Sequence, residues 1–117
     1  MGTNYYQRSP DPYTEDGITE RHLGKRSGGW TFLFKGDAGV RSFSDWLLAI
    51  DEYERAGWHL YDEYGRVMRV QELLRIVLDA KNEPTNHTVY VREKHPDHAR
   101  ECWLDEEGNA FCSNWFC

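Results

Sequence analysis

The sequence predicts an α+β protein in which two helices pack on one face of a small antiparallel sheet. Two amphipathic segments with helical spacing alternate with short segments rich in aromatic and β-branched residues. Glycines and prolines separate these segments. Because the chain has 117 residues and no sharp shift in composition, residues 1–117 are expected to form a single domain.

The first part of the chain predicts a strand followed by a loop. Residues 4–8 are rich in tyrosine, which favours a short strand. Pro10 and Pro12 then interrupt it, because proline fixes its own backbone and restricts its neighbour. Residues 1–19 are therefore expected to be partly irregular.

A glycine pair between two strands is the most specific structural signal in the chain. Strands are predicted near residues 20–27 and 30–35, joined by a two-residue turn at Gly28–Gly29, since glycine tolerates the positive backbone angles of such turns. The turn sets a register of three pairs that face the core: Ser27 with Trp30, Lys25 with Phe32, and Leu23 with Phe34. The alternate residues, which include His22, Arg26 and Lys35, form a basic, partly solvated side.

Two helices are predicted from apolar residues at helical spacing. Ser42 is a candidate N-cap for the first helix, and Gly57 suits its C-terminal end. The second helix is expected at about residues 70–81. Between the helices, residues 58–61 predict a short strand and residues 67–69 its return.

Two further strand regions are predicted near the C-terminus. Residues 88–92 are β-branched and aromatic, which favours a strand ending before Pro96. A terminal hairpin is expected at about residues 102–112, with its turn at Gly108.

The net charge of -6 is unevenly distributed. Residues 1–42 hold six Lys and Arg against five Asp and Glu, whereas residues 43–117 hold eight against fifteen. An acidic surface repels phosphate backbones, which argues against direct nucleic-acid binding and favours a protein partner with a basic surface.

No apolar run approaches the roughly 20 residues of a membrane helix, and no signal-peptide segment is present, so a cytosolic protein that does not contact membranes is expected.

The turn between the first two paired strands has the composition of an anion site. Two cations, a hydroxyl, backbone N–H groups and an aromatic ring could bind a nucleotide or a nucleotide signal through phosphate contacts and stacking. The candidate ligand-binding residues are Lys25, Arg26, Ser27, Gly28, Gly29 and Trp30. The alternative is that the glycines only make the turn while Trp30 packs in the core, because the P-loop has a different spacing and leads into a helix.

Soft metal ligands cluster near the C-terminus. The candidate zinc ligands are His95, His98, Cys102 and Cys112, and the hairpin would place the two cysteines opposite each other. The chain has no Cys-x-x-Cys pair, so free structural thiols, a Cys102–Cys112 disulfide and a protein without cofactor remain alternatives.

Carboxylates in two segments could imitate a phosphate backbone and bind a basic partner. These candidate partner-binding residues are Asp51, Glu52 and Glu54 in the first helix and Asp105, Glu106 and Glu107 in the terminal hairpin. The simpler alternative is that they are solvated surface residues and a hairpin tip.

The chain resembles small bacteriophage-encoded hypothetical proteins over about residues 20–80. The resemblance rests on the motif from His22 to Phe32, on Ser44-Asp45-Trp46, and on the turn Asp62-Glu63-Tyr64-Gly65-Arg66. It implies a phage accessory protein in the cytoplasm of a bacterial host, a group rich in inhibitors of host defence. It implies no catalytic residue.

These observations favour a non-enzymatic function. The five histidines are scattered, and no Ser, Cys or carboxylate lies in a recognisable hydrolase or transferase motif. We therefore expect an inhibitor of a bacterial defence system, such as a CRISPR effector, that binds through its acidic surface. The nucleotide binder is the alternative, and a metal-dependent enzyme that uses the C-terminal histidines and cysteines is the third.

Overall fold

The computed structural model describes residues 2–113, which form one seven-stranded sheet, three α-helices and a 3-10 helix. The strands are β1 (Gly2–Arg8), β2 (Glu20–Ser27), β3 (Leu33–Lys35), β4 (His59–Asp62), β5 (Val67–Met68), β6 (Cys102–Leu104) and β7 (Ala110–Cys112). The α-helices are α1 (Phe43–Arg55), α2 (Val70–Ala80) and α3 (His87–Lys94), and the 3-10 helix is Pro96–Glu101. Among these helices, none is long and apolar enough to cross a membrane.

The sheet has the strand order β5-β4-β1-β2-β3-β7-β6. Neighbouring strands run antiparallel except β3 and β7, which run parallel and join the terminal hairpin to the N-terminal part. The α+β class is confirmed, but the sheet is larger than predicted and is mixed. The parallel pairing of β3 with β7 was not predicted, because these strands are distant in the chain.

The predicted helices α1 and α2 are confirmed. The hydroxyl of Ser42 accepts a hydrogen bond from Asp45 N at 3.2 Å, and Gly57 adopts a φ of 95° just after α1. The buried side chains of both helices pack against Phe32, Phe34 and Phe111 of the sheet. In α1 they are Trp46 and Ile50, and in α2 they are Leu73, Val77 and Ala80.

The Gly28–Gly29 turn forms, but the backbone beyond it pairs with a distant segment. Trp30 N donates to Ser27 O at 3.1 Å, which closes the turn. The backbone groups that would have continued the β2–β3 ladder bond to Thr85 instead. Thr31 N donates to Thr85 O at 2.8 Å, and Thr85 N donates to Gly29 O at 3.2 Å. As a result, β3 begins only at Leu33.

The register predicted for this hairpin is therefore wrong by one residue. Lys25 lies opposite Leu33 rather than Phe32, and Gly24 lies opposite Phe34. On the other edge of β2, Tyr5 pairs with Gly24 and Tyr6 with His22, so that Leu23 is the extra residue of a β-bulge. Phe32 and Phe34 still reach the core, as expected, whereas Trp30 is only half-buried.

Residues 88–92 lie in α3, so the predicted strand is wrong. The side-chain oxygen of Asn86 accepts hydrogen bonds from Thr88 N at 3.0 Å and Val89 N at 3.2 Å, which starts the helix. Thr88 and Val91, one helical turn apart, are buried. The cap and this packing outweigh the β propensity of the segment.

The terminal hairpin is confirmed, and α3 packs on it. Cys102 lies opposite Cys112, as predicted. Val91 of α3 joins a second cluster with Leu33, Ala110 and the two cysteines. Because successive strand residues point to opposite faces, this cluster lies on the face opposite Phe34 and Phe111. Helices therefore cover both faces of the sheet, rather than one as predicted.

Candidate functional site

The predicted anion-binding turn is occupied by a carboxylate of the protein itself. Glu83 Oε2 accepts from Gly29 N at 2.5 Å, and Glu83 Oε1 lies 3.6 Å from Arg26 Nη2. Arg26 Nη1 also donates to the carbonyls of Ser27 and Trp30, at 2.7 and 3.1 Å. A nucleotide phosphate would have to displace the Glu83 carboxylate to reach these donors.

Two of the three remaining predicted ligand-binding side chains, those of Trp30 and Lys25, do not converge on the turn. The Trp30 ring packs edge-on against Tyr90 of α3, with 5.1 Å between ring centroids. Lys25 precedes Arg26 in β2, and consecutive strand residues point to opposite faces. The segment therefore docks α3 and the chain before it onto the sheet. The structural alternative from the sequence was different: it had the glycines only make the turn and Trp30 pack in the core.

Replacing Glu83 by alanine is expected to lower the free energy of unfolding by about 2 kcal/mol. The variant leaves Gly29 N without its acceptor and Arg26 without its ion pair. Glu93→Ala is the matched control, since Glu93 is exposed on α3, and it should change stability by less than about 0.5 kcal/mol. Urea unfolding monitored by tryptophan fluorescence measures both, and equal effects would contradict a structural role for Glu83.

The predicted zinc ligands are not assembled. Cys102 and Cys112 are buried, with their sulfurs 3.4 Å apart. His95, just before the 3-10 helix, and His98, within it, are exposed. Residues 2–113 contain no group of three or more His, Cys, Asp and Glu side chains that could hold a metal ion. The thiols point into the second cluster beneath α3, which separates them from the imidazoles. Cys117 lies outside the described residues.

The predicted acidic residues form two groups, one near each end of α1. Asp51, Glu52 and Glu54 are exposed on its C-terminal half, whereas the hairpin tip with Glu106 and Glu107 lies at its N-terminus. A rise of about 1.5 Å per residue separates the two groups by roughly 12–17 Å along the helix. We call the five exposed carboxylates the acidic surface.

Asp105 is the exception among the predicted acidic residues, because its carboxylate is used internally. It accepts from Phe43 N at 2.9 Å, which joins the hairpin tip to the start of α1, and from Asn109 N at 2.8 Å. Burial alone would raise the pKa of Asp105, but hydrogen bonds from Asn109, Phe43 and Glu107 lower it below its usual value. Asp105 therefore positions the tip and is not part of the acidic surface.

Sequence reasoning missed a polar and aromatic cluster on the sheet face opposite α1 and α2. Tyr6 stacks on His22 with 4.9 Å between ring centroids. The guanidinium of Arg8 lies 5.5 Å from the ring centroid of Tyr6 and 5.0 Å from that of Tyr61, and its Nε is 2.6 Å from Glu20 Oε2. We call these residues the sheet-face cluster.

Asn4 connects this cluster to two of the three motifs of the phage resemblance. Its side-chain oxygen lies 2.9 Å from Nε2 of His22 in the first motif, and its backbone N donates to Glu63 of the Asp62–Arg66 turn at 2.7 Å. Burial lowers the pKa of His22, and the charges of Lys35 and Lys25 lower it further. The lowered pKa favours the neutral imidazole, in which one ring nitrogen donates a hydrogen bond and the other accepts one.

The sheet-face cluster can stack on planar groups and offers hydrogen-bonding groups beside them. The alternation of Asn4, Tyr6 and Arg8 in β1 was a signal for one shared face. The partner strands were not visible, because β1 pairs with β4 from a distant part of the sequence. No family model, no curated protein and no solved structure matches this chain.

Proposed function

We propose that the protein is a bacteriophage accessory protein that inhibits a bacterial defence system by binding one of its proteins, such as a CRISPR effector, through the acidic surface. The observation that carries the proposal is the exposure of Glu52 and Glu54, which form no ion pair within residues 2–113. Asp51 beside them is paired with Arg55 at 3.1 Å. Arg21 interacts electrostatically with Glu52 but forms no ion pair with it. Exposed carboxylates on a rigid helix favour a partner with a basic nucleic-acid groove.

The surface also offers an apolar contact between its two ends. Leu48 is 62% exposed and lies three and four residues before Asp51 and Glu52, so that all three share one outer stripe of α1. An apolar side chain surrounded by charges is the usual arrangement of a small protein-binding patch. Arg41 and Lys81 lie near the tip end, so the C-terminal half of α1 is the more acidic part.

The nucleotide binder ranks below the inhibitor, because a nucleotide would have to displace the Glu83 carboxylate from the turn. Calorimetry with a panel of linear and cyclic nucleotides separates the two candidates. Saturable nucleotide binding that is lost in Arg26→Ala would favour the alternative over the inhibitor.

We expect expression of the protein to restore plaquing of a phage that a CRISPR effector blocks in the host. The double charge reversal Glu52→Lys with Glu54→Lys should reduce this restoration by at least about tenfold, because like charges then meet in the complex. Glu15→Lys with Glu93→Lys changes the net charge by the same amount at two other exposed positions and should retain full activity.

Folding of each variant is checked by circular dichroism before plaques are counted. An equal loss of activity in both double variants would contradict the acidic surface as the binding site. Failure of the wild-type protein to protect against any effector in a panel of CRISPR types would contradict the inhibitor itself.

A further inference from the structure

The two cysteines of the terminal hairpin occupy the kind of position that admits a cross-strand disulfide. Ser113 N donates to Glu101 O at 3.0 Å and Asp105 N donates to Asn109 O at 3.1 Å, so the hydrogen-bonded pairs of the ladder flank the cysteine pair. Cys102 and Cys112 are therefore a non-hydrogen-bonded pair, in which Cα atoms lie about 4.5 Å apart. That separation falls within the range of about 4.4–6.8 Å found for disulfides.

The side chains already point at each other. Both cysteines are free thiols, with Sγ atoms 3.4 Å apart. Their exposed fractions are 7% and 6%, because Val91 of α3 and Leu33 of β3 pack over them. Bond formation requires the sulfurs to approach by little more than an ångström, without a change of strand register.

We infer that Cys102 and Cys112 are a redox modification site, at which exchange with a small-molecule disulfide such as glutathione disulfide forms a bond across the β6–β7 hairpin. One cysteine thiolate attacks glutathione disulfide and releases one glutathione thiolate, which leaves a mixed disulfide on the protein. The second cysteine thiolate attacks the protein sulfur of that mixed disulfide and releases the other glutathione. Two protein thiols lose two electrons and two protons in total, and one glutathione disulfide becomes two glutathione molecules.

The surroundings of the pair make this exchange depend on local opening. Burial and the neighbouring Cys112 thiol raise the pKa of Cys102 to about 12, so the closed protein holds little thiolate. Glutathione also cannot reach the sulfurs while α3 covers them. Exchange therefore proceeds when α3 lifts, and the disulfide, once formed, is protected from reduction by the same packing.

The bond would close the hairpin that carries Glu106 and Glu107. A link between β6 and β7 restricts the unfolded chain and so stabilises the folded hairpin. The inference does not depend on the proposed inhibitor function, since it rests on the cysteine pair alone.

The test is incubation of the full chain with glutathione disulfide, followed by intact mass and peptide mapping. No Lys or Arg follows Arg100, so trypsin leaves all three cysteines in one peptide. Proteases that cut after Glu and after aromatic residues separate them. We expect a loss of two hydrogen masses, a Cys102–Cys112 link and a raised melting temperature. A link to Cys117, a lasting glutathione adduct, or thiols unchanged after prolonged incubation would overturn the inference.

Two cap variants test the role of α3 in gating the reaction. Asn86→Ala removes the N-cap of α3 and should speed oxidation about fivefold. Ser42→Ala removes the N-cap of α1 on the other face and should leave the rate within about twofold. Equal acceleration in both variants would show that global unfolding, and not movement of α3, exposes the cysteines.

Discussion

Replacing Trp46 by alanine is expected to lower the free energy of unfolding by about 4 kcal/mol. Trp46 is 1% exposed, and its ring contacts the rings of Phe32, Phe34 and Phe43 at centroid distances of 6.0, 4.9 and 5.9 Å. The substitution leaves a cavity where α1 meets the sheet. Because the free energy of unfolding of domains of this size is only about 5–15 kcal/mol, the substitution removes a large part of the total stability.

The indole N–H of Trp46 adds a specific contribution to this packing. It donates to Leu23 O at 3.0 Å, the carbonyl of the bulged residue in β2. An indole thus satisfies a backbone group at a position where the ladder is irregular. Trp46→Phe, which keeps an aromatic ring but loses this donor, should cost about 2 kcal/mol.

Urea denaturation followed by circular dichroism measures both Trp46 variants. Tyr64→Ala is a suitable control, because Tyr64 is 80% exposed and its loss should cost less than about 0.5 kcal/mol. A Trp46→Ala effect as small as that of Tyr64→Ala would contradict the position of α1 on the sheet.

Gly24→Ala is expected to destabilise the protein by about 3 kcal/mol, although it adds a single methyl group. A Cβ atom at this position would overlap the ring of Phe32 and lie 2.5 Å from the carbonyl oxygen of Leu33. The oxygen belongs to the backbone of the β2–β3 ladder and cannot move aside without breaking the pairing of Gly24 with Phe34. Either the ring or the strand must shift.

Gly28→Ala is the matched control for this substitution. A Cβ atom at Gly28 would meet no heavy atom within 4 Å, so the variant should be neutral within about 0.5 kcal/mol. Thermal unfolding of the two variants makes the comparison. Similar melting temperatures for both would show that Phe32 does not pack over Gly24, and the observed register would then be in error.

Elements with a local signal were predictable from the sequence. Helix α1 has a capping residue, an amphipathic pattern and a terminal glycine within one short segment, and each acts on its immediate neighbours. The Gly28–Gly29 turn and the terminal hairpin likewise depend on residues close in the chain. In helix α3 the β-branched content favoured a strand, and the Asn86 cap and the burial of Thr88 and Val91 decided the outcome.

The part of the candidate site on α1 was predictable, because the position of a residue on an amphipathic helix decides whether its side chain is exposed. The amphipathic pattern of α1 was enough to place Glu52 and Glu54 in solvent. Asp105 was not distinguishable from Glu106 and Glu107, because its bond to Phe43 N spans 62 residues. The sheet-face cluster required the pairing of β1 with β4, which no local pattern encodes.

From its residues alone, the chain determines an acidic α+β protein with two amphipathic helices, a glycine turn and a hairpin with facing cysteines. The tertiary structure decided the register of β2 and β3, the helical state of residues 87–94, and the occupation of the turn by Glu83. The physical reason is the range of the interactions. Caps and turns are formed by neighbours, whereas Gly29 and Glu83 are 54 residues apart and meet only when the sheet has assembled.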